Sequence, residues 1–206
     1  MISVSNLSFE RYFERVFEPV SFEVAAGSLL LITGINGCGK TTLLRVLAGL
    51  LEPSEGQFSC REHPLYAGHH PAIKDDLSVT ENIRFMMNFM GTRKNTDEAA
   101  FCRGIIDEVG LAEVAHQEGR TLSAGQRKRC SLARLLFCEE SLWLLDEPYS
   151  NLDRQGIDML DAIMRSHLDA GGACVLTTHG SLRPRGFELQ ECELISGRQH
   201  DDWETT

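Results

Sequence analysis

No run in these 206 residues approaches the roughly 18 consecutive apolar positions that a membrane-spanning helix needs, so the chain is expected to lie outside the bilayer. The opening stretch, MISVSNLSFERYFERV, carries charge where a secretory leader has its apolar segment, which points to a protein that stays inside the cell. A Lys/Arg block is also missing. Twenty basic residues stand against 30 acidic ones, for a formal net charge of -10, which argues on electrostatic grounds against a protein that coats DNA or RNA. No C-x-x-C pair occurs among the seven cysteines, Cys38, Cys60, Cys102, Cys130, Cys138, Cys174 and Cys192. Odd in number and widely scattered, they read as reduced thiols of a cytosolic protein. Repeats and low-complexity tracts are absent, so organisation has to be read from alternating apolar patterns.

What is there suits one sizeable core, with room for a small attached lobe: 42% of the residues are hydrophobic and 24% charged. ISVSNLSF, VSFEV and the apolar run SLLLIT, set between Gly27 and Gly34, predict strands. KTTLLRVLAGLLEP predicts a helix closed by Gly49 and stopped by Pro53. GQFSC and PLYAG read as strands, residues from about Val79 to Phe137 as mostly helical, LWLLD as an apolar strand, Arg154 to Leu168 as a helix, and ACVLTT as a last buried strand. Strands alternating with helices imply a parallel sheet covered on both faces.

The sharpest local signal is GINGCGKTT, where Gly34, Gly39, Lys40 and Thr41 satisfy G-x-x-x-x-G-K-[ST] between a predicted strand and a predicted helix. A glycine-rich turn matching by chance would lack those two flanks. Such a loop, here Gly34, Ile35, Asn36, Gly37, Cys38, Gly39, Lys40, Thr41 and Thr42, turns backbone N–H groups toward a phosphate. The helix N-terminus adds positive potential, Lys40 reaches the β/γ-phosphates, and Thr41 offers a hydroxyl to Mg2+. The metal also wants a carboxylate, and LWLLDEP supplies Asp146 at the end of an apolar strand. Glu147, next to it, is placed to polarise a water for in-line attack on a γ-phosphate. Cys38 lies inside the loop, where the helix N-terminus and Lys40 favour its thiolate, so a maleimide is expected to abolish hydrolysis and MgATP to protect.

TLSAGQRKRCSLARLL sets an electrostatic puzzle. Ser123 and Gln126 form a capping-box pattern, so a helix begins here, yet Arg127, Lys128 and Arg129 crowd its positive end.

The P-loop at 34–42, LSAGQ at 122–126, LWLLDEP at 142–148, SNLD at 150–153 and TTH at 177–179 resemble, in order and spacing, the nucleotide-binding subunit of ABC transporters. The match covers nearly the whole chain. It implies an α/β fold, a P-loop NTPase (RecA-like) core with a small antiparallel β lobe and a helical subdomain, all in one ATPase domain. Residues 1–70 and 138–206 would form the core with its lobe, and about 75–137 the helical signature subdomain. The resemblance also answers the puzzle, because in this family the signature helix faces an ATP held by the P-loop of a second subunit. Ser123, Ala124, Gly125 and Gln126 would then meet the γ-phosphate in trans, and the cations behind them would be tolerated by that polyanion; for Lys128 and Arg129 the alternative is a stem swung outward into water. The implied active unit is a homodimer with two composite sites, Asp153 at its interface and His179 beside the γ-phosphate.

The chain also departs from the family. Where most members carry a Gln ahead of LSVTEN, His69 stands, followed by His70. A neutral imidazole can ligate Mg2+ or bind its water and would lose that ability on protonation, making nucleotide coupling acid-sensitive; two exposed loop histidines are the alternative. The adenine-stacking aromatic usual near the start of the chain has only Tyr12 as a candidate. Phe85, Met86, Phe89 and Met90 fall on one side of a helix and read as core, or else as a docking surface for a membrane subunit.

YAGHHPAIKDDLSVTENIRF and GGACVLTTHGSL resemble more narrowly the haem-exporter ATPases of bacterial cytochrome c maturation. That likeness implies ATP and Mg2+ as cofactors and integral membrane subunits of the CcmB and CcmC type as partners. It also implies a peripheral position on the cytoplasmic face of the inner membrane, and turnover that releases a haem chaperone. A generic drug or lipid exporter is the rival within transporters. Soluble members that act on ribosomes or DNA usually carry two ATPase units or a long coiled-coil insertion, which a single acidic unit lacks.

Overall fold

A computed structural model describes residues 1–90, 97–178 and 183–197. In chain order its strands are β1 (Ile2–Arg11), β2 (Glu14–Val24), β3 (Leu29–Thr33), β4 (Glu55–Cys60), β5 (Leu65–Ala67), β6 (Leu142–Leu145), β7 (Ala173–Thr177) and β8 (Leu189–Glu193). Its α-helices are α1 (Lys40–Leu47), α2 (Val79–Phe89), α3 (Glu98–Glu108), α4 (Ala124–Leu132) and α5 (Arg154–Asp169). An antiparallel sheet has the order β2-β1-β4, and a parallel one the order β5-β6-β7-β3-β8.

Side-chain alternation along β3 divides the core. Leu30 and Ile32 point to one face, where α1 lies between the two sheets and packs Leu43, Leu44 and Leu47 against Leu7, Phe17 and Val20. Leu29 and Leu31 point to the other face, against Leu160, Ile163 and Met164 of α5. A third cluster joins α2, α3 and α4 through Val79, Ile83, Ile105, Ile106 and Cys130. A strand buried on both faces has to be apolar throughout, which is why LLLI and LWLL lack polar positions.

Helix ends follow local chemistry. Ser78 and Glu81 form a capping box on α2, Ser123 and Gln126 one on α4, and Asp97 and Asp153 cap α3 and α5. Gly49, at φ 70°, closes α1 as expected, with Gly49 N donating to Val46 O and Leu50 N to Arg45 O, both at 2.9 Å. Two expectations are corrected. β2 starts at Glu14 and contains Pro19, tolerated because β2 is an edge strand. ACVLTT is not the last strand, since LQECE adds β8 beside β3; as a half-exposed edge strand it carries no apolar run that would announce it.

Candidate nucleotide site

β3 runs into the phosphate loop, and two of its glycines are sterically required. A Cβ on Gly34 (φ 140°) would lie 2.5 Å from Leu194 O, and one on Gly39 (φ 103°) 2.9 Å from Val16 Cγ1 and Phe17 Cδ1. Gly39 is also the N-cap of α1 and offers no side chain to it, and the first turn holds no acidic residue. The leading N–H groups of α1 are therefore left for an external anion. Lys40 is buried and donates from Nζ to Gly34 O at 2.7 Å and Ile35 O at 3.0 Å, so its ammonium lies folded over the loop. Ile35, Asn36 and Gly37 are exposed at the tip, and Thr42 is half-buried on α1.

Thr41 and Asp146, which sequence alone could only pair by family, meet in space: Thr41 Oγ1 donates to Asp146 Oδ1 at 3.2 Å. Thr177, at the end of the intervening β7, donates to the same oxygen at 2.9 Å and accepts from Glu147 N at 3.0 Å. Asp146 is 1% exposed, and its Oδ2 is buried with no hydrogen-bond partner among the described residues. A buried carboxylate oxygen left free beside a threonine hydroxyl fits a cation placed between them. No cluster of three or more His, Cys, Asp or Glu that could hold a metal ion occurs among the described residues. Burial beside Asp146 pushes the Tyr66 phenol up, with the Arg45 guanidinium opposing.

His69 Nδ1 lies 3.2 Å from Glu147 Oε2, so the structure brings this histidine to the second carboxylate of the DE pair. Thr41, Arg45, Tyr66, His69, His70 and Glu147 share the walls of one open pocket of about 390 Å³. Tyr12 and Phe13 form the two-residue turn of the β1–β2 hairpin, both at positive φ (54° and 67°) and both exposed. His179 lies outside the described residues. Asp153 accepts from Gly156 N at 2.8 Å as the cap of α5 and keeps an exposed side chain. Cys38 corrects an expectation: its side chain is 0% exposed, turned into the core beside Gly34, so a reagent in solution does not reach it. Phe85 and Phe89 correct another. They are not core but stack exposed at 6.3 Å, at one wall of a largely apolar groove of about 420 Å³ that Leu65, Met86 and Met90 also line.

The cations of α4 find partners that neither sequence alternative foresaw. Arg127 Nη1 lies 2.7 Å from Asp75 Oδ1 and donates to Gly119 O at 2.7 Å. Arg129 Nη2 lies 3.6 Å from Asp153 Oδ2. Lys128 is 4% exposed and donates from Nζ to Glu147 O at 3.0 Å. Burial pushes its ammonium down to about 8, against the carboxylates of Asp146 and Glu147. Ser123, Ala124, Gly125 and Gln126 form the start of the helix, with Ser123 Oγ accepting from Gln126 N at 3.2 Å. Sequence reasoning noticed both Thr177, as the first residue of TTH, and Lys128, as a cation behind the trans phosphate or in water, but foresaw neither the bonds of Thr177 to Asp146 and Glu147 nor that of Lys128 to the Glu147 carbonyl. The signal for Thr177 was a hydroxyl at the end of a strand whose other residues are apolar.

Residues 17–150 match the family described as ABC transporter. The chain belongs to that family and is an ATP-binding, ATP-hydrolysing subunit of it. Among curated proteins it is 44% identical over 191 residues to the cytochrome c biogenesis ATP-binding export protein CcmA of Xanthomonas axonopodis pv. citri, covering 88% of this chain and 87% of the relative. With the protein of the same name from Rhizobium meliloti it shares 39% over 209 residues, covering 97% and 99%. In fold it is similar to a solved ATP binding subunit of an ABC transporter, at TM-score 0.73 and 25% identity over 87% of this chain and 79% of that one. A solved ABC transporter ATP-binding protein from Pyrococcus furiosus superposes at TM-score 0.78 and 20% identity over 95% and 98%. Among the described residues no helix is long and apolar enough to cross a membrane.

Proposed function

We propose that this chain is the ATPase subunit of a haem-export complex for c-type cytochrome biogenesis, bound to the cytoplasmic face of the inner membrane beneath CcmB- and CcmC-like subunits. The observation that carries the chemistry is the junction of the P-loop with Asp146 and Glu147 through Thr41 and Thr177. The likeness to CcmA proteins over 88–97% of the chain supports the biological role. Gly34 to Thr42 cradle the phosphates of ATP, Lys40 transfers its ammonium from the loop carbonyls to the β/γ-oxygens, and Glu147 polarises the attacking water. Thr41 and Asp146 would hold Mg2+, which when bound offsets charge on the phosphates, with His69 at its edge. Tyr12 is the candidate for adenine. Ser123 to Gln126, Asp153 and His179 complete the site across a homodimer of single-domain chains, and turnover serves release of the haem chaperone. The groove beside Phe85 and Phe89 suits docking of a membrane subunit.

Glu147→Gln should keep ATP binding and lose hydrolysis, accumulating an ATP-bound dimer in size-exclusion chromatography; wild-type turnover would remove Glu147 from its role. The deciding experiment is haem staining of c-type cytochromes in cells whose own copy is replaced by wild type or Lys40→Ala at matched expression. Loss of staining with Lys40→Ala alone is the expected result. Normal staining with both would return the cargo to that of another exporter.

A further inference from the structure

α4 bears on the loop of the catalytic carboxylate at three points. Gly125 approaches so closely that a Cβ there would sit 2.9 Å from Asn151 O. Nearly one turn later Lys128 Nζ donates to Glu147 O at 3.0 Å, and beside it Arg129 Nη2 lies 3.6 Å from Asp153 Oδ2. This is also the strained part of the site. Glu147 and Asn151 have φ of 48° and 62°, the left-handed region that side-chain-bearing residues avoid. The Glu147 carbonyl takes two further donors, Ser150 N at 3.1 Å and Ser150 Oγ at 2.9 Å, while its N–H is given to Thr177. Both ends of the Glu147 backbone unit are therefore pinned, one from the sheet and one in part from α4. Even with the carboxylates of Asp146 and Glu147 nearby, burial outweighs their attraction for the ammonium, so an apolar side chain of the same length would fill the space without desolvating a charge.

We infer that Lys128 is a positioning residue for hydrolysis: reaching from α4, it holds the Glu147 backbone in the turn that aims the carboxylate. The inference rests on Glu147 being the group that polarises water. It ties the catalytic loop to the signature helix of the same chain, whose N-terminal end is the part proposed to meet the ATP of a second subunit. A shift of α4 would be felt at Glu147 through one hydrogen bond.

The test compares wild type, Lys128→Met, Glu147→Gln and the double variant in steady-state ATPase assays, with fluorescent ATP-analogue binding measured in parallel. Lys128→Met keeps the stem and removes the donor. We expect kcat to fall about tenfold or more while KM and analogue affinity stay within about twofold, the split that marks a group acting after binding. In the Glu147→Gln background the same substitution should change the residual rate less than about twofold, because the base it positions is gone. Wild-type kcat in Lys128→Met, or an equal fold-loss in both backgrounds, overturns the inference. Should Lys128→Met not fold, Lys128→Gln is measured in the same way; failure of both to fold would make the lysine a structural residue and overturn it too. A wild type that binds ATP without hydrolysing it would instead remove the proposed function, and is read before any variant.

Discussion

Replacing Thr177 by Val tests the junction of the site with little change in shape. The hydroxyl, fully buried, donates to Asp146 Oδ1 at 2.9 Å and accepts from Glu147 N at 3.0 Å. Val removes both bonds and leaves no cavity, but its methyl must back away from contacts of 2.9 and 3.0 Å, so a repacking loss adds to that of the bonds. A hydrogen bond to a charged acceptor is worth about 1.5–3 kcal/mol, and a buried amide left unpaired costs about 1–3 kcal/mol. Asp146 Oδ1 keeps the Thr41 donor, which softens the first loss, and a net destabilisation of about 3 kcal/mol is the expected sum. Urea unfolding at neutral pH should move the midpoint down by about 1 M or more for a slope of 2–3 kcal/mol/M. Thr177→Ser retains the hydroxyl and should lose only about 1 kcal/mol for the methyl group. ATP turnover should fall in the Val variant and largely survive in the Ser variant. Val at wild-type stability, or Ser as destabilised as Val, would refute the argument that this hydroxyl holds the two carboxylate-bearing residues.

Cys38 should resist maleimide in the native protein: peptide mapping by mass spectrometry is expected to find the half-buried Cys60 and Cys192 labelled well before it, and early labelling of Cys38 would contradict its burial. Lys128 gives a pH prediction. Its folded value of about 8 lies below the unfolded 10.5, so the unfolded chain binds more protons between these values and stability rises with pH across that window. Below it the charged lysine costs up to about 3 kcal/mol. Thermal melts should therefore show the stability difference between Lys128→Met and wild type changing in favour of wild type from pH 7 to pH 10, by up to that amount. A difference independent of pH would show that burial does not disfavour the ammonium.

Much of this architecture could be read from residue patterns because its signals are local. GINGCGKTT names its own turn, the apolar runs LLLI and LWLL mark strands buried on both faces, and Ser123 with Gln126 announces a helix start. What escaped was decided by partners distant in the chain. LQECE becomes a strand only because β3 offers it an open edge. Cys38 looks reactive by its neighbours in sequence and is sealed by its neighbours in space. The Arg127, Lys128 and Arg129 cluster defies the dipole rule until Asp75, the Glu147 carbonyl and Asp153 are brought alongside. Phe85 and Phe89 keep a core-like period although they stand exposed at the wall of an open groove, with Lys74 Nζ over the Phe85 ring.

The strand order β6-β7-β3 acts as a gauge. The phosphate loop leaves β3 and the carboxylates leave β6, so the two halves of the chemistry stand two strand spacings apart, about 10 Å, with β7 between them. Thr177 occupies the end of that middle strand and marks the centre of the gap. The width is fixed by backbone hydrogen bonding, which no single side chain can stretch. What the loops above it can vary is therefore confined to what lies on top of a constant span, while the distance between the phosphate loop and the acid pair stays the same.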